Sequence, residues 1–489
     1  MGLNIPLKGY APDSEQTILG VLTNCNQLIP TVRGMKAAPQ PLSFGQSVLA
    51  GTCQGAAVLE KLDRTTRFFA ATPTKVYEAS GTNWTDVSGT AYTPASDVRY
   101  RFAQFGDVSL VTNKADRMHA SSASGTFTGI ATAPKAAIVE TCNNFVFAFD
   151  TNEATYGDSP NRWMCAALGG YTSWTPSIDT QAATGVLTGS AGKILAGKRF
   201  GDQIIAYKEK SMYLGVYVGS PITWDFRQIP GEVGALCNEV VVNVGTPEQP
   251  KHIFMGSDNF YSYDGSRPVP IGNNLREKVF DNELFRTYSY LSLSLHDRQR
   301  RNVYFYYCSS NSLMPDKCVV YNYKTGEWGR DDRSIEMVTD YIAAGTTYDN
   351  LGGVYSTYDS LTSLSYDAAF AAAGAATPAI FNTSHLLQTL SGPPTTSTMT
   401  TGDVGDAQQE GCLSRVIPKF LTAPSSGTMT NYYRQNLGDS LTTDMATPMD
   451  ASNRFDVLRS ARWHRARFDF VGDHELALLN VDFAGAGSE

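Results

Sequence analysis

The chain has 489 residues, 42% hydrophobic and 18% charged, with 39 Lys and Arg against 47 Asp and Glu for a net charge of −8. So apolar and weakly charged a chain folds around substantial cores, which excludes an intrinsically disordered protein. Its acidic balance excludes a protein that wraps nucleic acid by neutralising phosphates.

Forty-three Gly, 23 Pro and 25 Tyr among abundant Ser, Thr and Val favour short strands and tight turns, so the expected fold class is all-β. No apolar run is long enough for a membrane anchor; the nearest, Ala368 to Ile380, is broken by Gly374 and Pro378. The opening MGLNIPLKGYAPD lacks the basic start and apolar stretch of a signal peptide, which predicts folding in a cytoplasm. There the sequons at Asn83 and Asn382 stay unglycosylated. Eight cysteines at irregular spacing, with no CxxC pair and no neighbouring His, predict free thiols rather than a metal site or bridges.

In chain order, residues 1–45 are Pro-rich and aperiodic and are expected to run as an extended arm. Residues 46–370 then repeat one phrase: an apolar strand, a Gly-Asp or Asn-Asn turn, a second strand, a polar turn, an aromatic strand, a Gly-Ser or Gly-Thr turn, and a fourth strand opened by an aromatic. The clearest copy is KILAGKRFGDQIIAYKEKSMYLGVYVGSPITWDFRQI, Lys193 to Ile229. Others begin at Val98, Ile138 and Glu239. The closing positions Trp84, Phe127, Trp174, Trp224 and Pro268 recur every 43 to 50 residues, with a gap of 60 before Trp328. Four strands repeating at this period predict a β-propeller of about six blades, in which Trp84, Phe127, Trp174, Trp224 and Trp328 pack one blade on the next. The wide last gap is assigned to a short helix at Asn274 to Phe280, capped by Asn273, with Leu275 and Val279 inward. Ile335 to Asp367 reads as the closing blade, and AAFAAAGAA, Ala368 to Ala376, as a boundary.

Residues 371–489 form the remaining domain. Thr395 to Gly405 reads as a polar loop, and CLSRVIPKFL, GTMTNYYRQNL, RWHRARFDF and HELALLNVDF as strands of a sandwich-like antiparallel platform.

Chemistry-bearing patterns are sparse. The turns before Trp84 and Trp174 resemble sialidase Asp-boxes without the Asp. The six His form no HExxH or helical pair, and there is no GxSxG elbow or phosphate-binding loop. No catalytic residue, cofactor or metal is therefore assigned. Asp403, Asp406 and Glu410 have oxygens suited to calcium but read more simply as a solvated loop. Arg298, Arg300 and Arg301 read as a hairpin tip. Arg459, Arg462, Trp463, Arg465 and Arg467 are the candidate interface. Strand alternation puts Trp463, Arg465 and Arg467 on one side, and Arg and Trp are the types enriched where proteins meet. Replacing Arg465 and Arg467 is expected to impair association without unfolding the chain.

The runs GDQIIAYKEKSMYLGVYVGSPITWDFRQIPGEVGALCNEVV and YSYDGSRPVPIGNNLREKVF, followed at the C-terminus by SARWHRARFDFVGDHELALLNVDF, resemble the tail hub or nozzle proteins of short-tailed bacteriophages, also called packaged-DNA stabilisation proteins or tail accessory factors. The resemblance covers residues 193–290 and 455–483 best; the Ala-rich and Thr-rich segments between have no counterpart in it. It implies a non-enzymatic structural protein of the virion tail, assembled in the host cytoplasm as a hexameric ring. That ring would sit below the portal and adaptor and carry fibres, spikes or a needle, with double-stranded DNA passing through without tight binding. The alternative reading is a glycan-active or glycan-binding propeller, a sialidase-like hydrolase or a lectin.

Overall fold

A computed structural model describes residues 2–95, 98–342 and 376–485, with side chains through residue 483. Strand pairing yields six four-stranded antiparallel sheets, the blades of a β-propeller, together with two larger antiparallel sheets that contain the C-terminal strands.

The first four blades occupy Gly55–Asp86, Arg101–Gly129, Lys135–Val186 and Ala196–Ile229, and the fifth spans Val241–Pro270. Their hairpins turn where the repeated phrase places them. Gly106 and Gly201 take positive φ, and Asn143 and Asn144 both adopt left-handed conformations, which lets a two-residue connection follow the strand twist. The sixth blade runs Ile335–Tyr341, Thr377–Asn382, Leu387–Gly392 and closes on Gln40–Leu42. Of the expected closing blade, the part from residue 343 lies outside the described residues, as do residues 368–375 of the expected boundary.

The chain divides into two compact units, and neither follows the expected boundaries at 45 and 370. One comprises residues 42–234 and 335–390, with the first four blades and the core of the sixth. Its blades pack through apolar side chains of successive sheets. Phe69 of the first stacks on Phe102 of the second, and Phe147 and Phe149 of the third join Ile204 and Trp224 of the fourth in one cluster. Burial of this kind, at roughly 25 cal/mol per Å² of apolar area, supplies the drive that a lone four-stranded sheet lacks.

The other unit comprises residues 1–41, 235–334 and 391–489. It carries the fifth blade and a further meander, Leu293–Asp297, Asn302–Tyr307, Lys317–Asn322 and Trp328–Arg330, which continues into a ten-stranded sheet through Leu28–Thr31, Gly34–Ala37, Glu475–Gly485, Gly411–Thr422 and Phe455–Ala461. Asn302–Tyr307 is buried at every position, and from Val303 to Tyr307 both faces of the strand are apolar or aromatic, as suits a sheet covered on both sides. A seven-stranded sheet aligns Leu22–Asn26, Thr396–Thr401, Trp463–Val471 and Ser426–Arg434. Side chains of both sheets, including Leu413, Val416 and Leu479 from one and His464, Ala466 and Phe468 from the other, meet around an apolar cavity of about 30 Å³, as in a sandwich.

Three expectations are corrected. The first 45 residues are not a free arm: Gly2–Pro6 pairs with Glu475–Gly485, and Leu22–Asn26 with Thr396–Thr401. Thr395 to Gly405 is not a loop, because Thr396–Thr401 is a strand whose inward positions are Ser397, Met399 and Thr401. The insertion near residue 274 is a 3-10 turn, Asn273–Leu275, followed by a π-helical segment, Glu277–Glu283. Leu275 and Val279 are buried as expected, but the Asp13 carboxylate, not Asn273, accepts the leading Glu277 and Lys278 N–H groups at 2.6 and 3.1 Å.

Candidate functional site: the arginine-rich C-terminal strand

The strand Trp463–Val471 lies between Thr396–Thr401 and Ser426–Arg434. Its alternation is the one read from the sequence. His464, Ala466 and Phe468 line the sandwich cavity, so Trp463, Arg465 and Arg467 occupy the opposite face.

The five candidate interface residues do not act alike. Arg465 is committed internally: its Nε and Nη2 reach the two carboxylate oxygens of Asp403 at 3.0 Å each, and Nη2 also donates to the Gln16 side-chain oxygen. Arg434 donates to the same carboxylate from the neighbouring strand. The Asp403 side chain is fully buried, and the two arginine side chains are 12% and 13% exposed. The backbone adds to the brace, since Asp403 N–H donates to Gln16 C=O at 2.7 Å. Gly402 beside it has no room for a Cβ, which would sit 2.2 Å from that carbonyl oxygen. Asp403 therefore belongs neither to a solvated loop nor to a calcium site; it is the shared anion of a buried triad.

Arg459 lies 4.8 Å over the Tyr433 ring and donates to Asp444 through Nε at 3.0 Å. Burial raises the Asp444 carboxyl, but hydrogen bonds from Arg459 and Asn431 outweigh it and leave the pKa lowered. Arg467 pairs with Asp469 at 3.0 Å in an exposed setting, a type of contact worth about 0 to 1 kcal/mol. Arg462 is half-buried, and its Nε is buried without an acceptor among the described residues. Trp463 is buried beside it. Of the original set, Arg462, Arg467 and the edge of Trp463 remain for a partner, and Arg465 does not.

The aromatics expected to pack blades divide similarly. Phe127, Trp174, Trp224 and Trp328 are buried, whereas Trp84 is half-buried and donates its indole N–H to Ser47 C=O at 2.9 Å. Trp224 meets Phe145 and Phe147 of the preceding blade edge-on at 5.6 and 4.9 Å. Trp174 is not on a fourth strand but in the loop before Ala183–Val186, bonded to Tyr171 C=O. Trp328 packs on Phe260 and Tyr321 in the meander strand Trp328–Arg330. Arg300, in the turn between Leu293–Asp297 and Asn302–Tyr307, pairs with Asp297 at 2.8 Å, as befits a hairpin tip.

One other titratable group stands out. The buried Glu336 carboxylate accepts the Cys53 backbone N–H at 2.9 Å and contacts His385 Nδ1 at 2.6 Å. Burial raises the Glu336 carboxyl and pushes the Cys53 thiol up to about 12. The thiol is thus uncharged near neutrality and not a ready nucleophile. Among the described residues no group of three or more His, Cys, Asp or Glu side chains is placed to hold a metal ion, and no helix is long and apolar enough to cross a membrane. Sequence reasoning missed the triad because its members, at 403, 434 and 465, lie on three separate strands or turns with no local spacing to link them.

No protein-family model matches the chain, and no curated protein matches it. Solved structures give weak likenesses of shape. YCF48 bound to D1 peptide has 10% identity and a TM-score of 0.37, covering 74% of this chain and 97% of that one. The computationally designed Ika8 protein has 8% identity and a TM-score of 0.36, with coverage of 72% and 99%. YCF48 from Cyanidioschyzon merolae has 11% identity and a TM-score of 0.34, with coverage of 62% and 93%.

Proposed function

We propose that this chain is a structural protein of a bacteriophage tail. Six copies form a ring below the portal and adaptor, extend the DNA channel, retain the packaged genome and release it at ejection, with fibres, spikes or a needle carried by the same ring. The observation that carries the reading is the order of parts: blade phrases resembling tail hub proteins at residues 193–290, followed by the C-terminal strands Phe455–Ala461, Trp463–Val471 and Glu475–Gly485, which are shared between the two sheets of the terminal sandwich and of which Trp463–Val471 is basic and aromatic. Net charge supports it. A conduit through which DNA slides must not hold phosphates, and a chain of charge −8 offers little counterion release to drive binding. Retention then rests on a closed constriction rather than on affinity, and the chain acts without chemistry of its own.

Negative-stain imaging of the purified chain mixed with the portal and adaptor proteins of the same particle tests this. Six-fold rings docked on the adaptor are the expected result. A chain that stays single in their presence, or that releases 4-methylumbelliferone from a sialoside, overturns the reading.

A further inference from the structure

A cleft of about 470 Å³ opens within the sandwich-bearing unit, with Leu3, Leu19, Trp463 and Phe483 among its apolar lining and Asp406 and Glu410 among its polar lining. We infer that this cleft is a docking site for an extended segment of a partner protein, one that presents a bulky apolar side chain next to a Lys or Arg. The inference goes beyond the tail reading and stands whether or not that reading does.

Three features argue for this occupant. The first is size and lining: the volume falls in the range of roughly 300 to 1,000 Å³ typical of ligand sites, enough for a large side chain and its neighbours. The second is exposed apolar surface at one place. Leu3, Ile18 and Leu19 are 37%, 40% and 39% exposed; Leu3 and Leu19 line the cleft, and Ile18 adjoins Leu19 in the chain. Apolar side chains clustered in a concavity mark an interaction site more strongly than scattered ones do.

The third is charge. Asp406 and Glu410 are exposed, and neither has an ion-pair partner among the described residues. Asp406 takes only the Gln408 backbone N–H, at 2.7 Å. Asp403, the third carboxylate of the lining, is already neutralised by Arg434 and Arg465. Two uncommitted carboxylates beside an apolar wall complement a cation adjoining an apolar group. Arg462, also in the lining, has a buried Nε without an acceptor among the described residues, and the Nη end of its guanidinium can donate to a main-chain carbonyl of the same segment.

The probe is N-acetyl-Leu-Lys-amide, read by fluorine NMR of the full chain labelled with 5-fluorotryptophan. The Trp463 resonance is identified as the one missing from Trp463→Phe. Saturable movement of that resonance at concentrations on the order of 1 mM is expected. N-acetyl-Leu-Glu-amide and N-acetyl-Gly-Lys-amide should each bind at least about fivefold more weakly, and the exposed pair Asp406→Asn/Glu410→Gln should weaken the Leu-Lys probe by a similar factor while leaving the other tryptophan resonances in place. A Trp463 resonance that stays still for every probe overturns the inference, as does equal binding of the Glu or Gly probe.

Discussion

Replacing Asp403 with Asn separates a structural role for the arginine-rich strand from an interface role. The substitution keeps the shape of the side chain and removes its charge, leaving the Arg434 and Arg465 guanidiniums, only 12% and 13% exposed, facing each other without an anion. Stripping the counter-charge from a buried pair costs about 3 to 5 kcal/mol. In a unit of this size a kilocalorie per mole moves the midpoint by roughly 2 to 4 °C, so a fall of about 6 to 20 °C is expected. Arg467→Ala removes only an exposed pair with Asp469 and should change stability by no more than about 0.5 kcal/mol. Because two compact units need not melt together, thermal scans are best paired with hydrogen exchange over Thr396–Thr401 and Trp463–Val471, where protection should fall first in Asp403→Asn. The combination Asp403→Leu/Arg434→Met/Arg465→Met, which replaces the triad by apolar groups, should recover most of the loss. Equal effects of Asp403→Asn and Arg467→Ala would refute the triad, and with it the conclusion that Arg465 braces the fold instead of facing a partner.

Burial, with Arg298 adding to it, depresses the His296 imidazole to about 4, and burial also lowers His464 and His474. In the unfolded chain these groups take up protons near pH 6.5, so stability is full above that pH and is lost as pH falls towards 4. His296→Gln should flatten that slope in denaturant titrations at pH 7, 5.5 and 4.5, and an unchanged slope would show that His296 charges freely in the fold. Seven of the eight cysteines are buried and Cys412 is partly exposed, so a thiol reagent at pH 8 should label about one site quickly in the native protein and all eight in denaturant; rapid labelling of several native sites would contradict the packing. Trp224 is 2% exposed, with its indole N–H buried and without an acceptor among the described residues. Trp224→Phe should therefore cost less than about 1.5 kcal/mol, because it removes an unsatisfied donor along with volume, while Trp224→Ala should cost about 3 to 5 kcal/mol. Chemical denaturation measures both, and comparable losses would mean that the indole N–H has an acceptor after all.

What could be read from the residues alone was whatever the chain settles locally. The Asn143-Asn144 and Gly201-Asp202 turns need only the conformational tolerance of those residue types, and each sits between strands adjacent in sequence, so the blade period emerges without knowledge of any distant partner. The alternation of Trp463–Val471 was equally legible, since a strand's two faces follow from spacing alone. The termini were not. Leu3 finds its partner at Val481 and Cys25 at Met399, and a segment as polar as Thr396–Thr401 becomes a strand because two neighbours complete its hydrogen bonds, not because its own residues demand it. The same nonlocality hid Asp403. In a loop read by itself an aspartate between glycines belongs to solvent or to an ion; once the N-terminal segment is drawn against the C-terminal sheet, Gln16 closes over it, and Arg434 and Arg465 supply the donors and counter-charge that a carboxylate held away from water requires. A basic strand in such a fold is thus evidence of a partner only after its internal anions have been found.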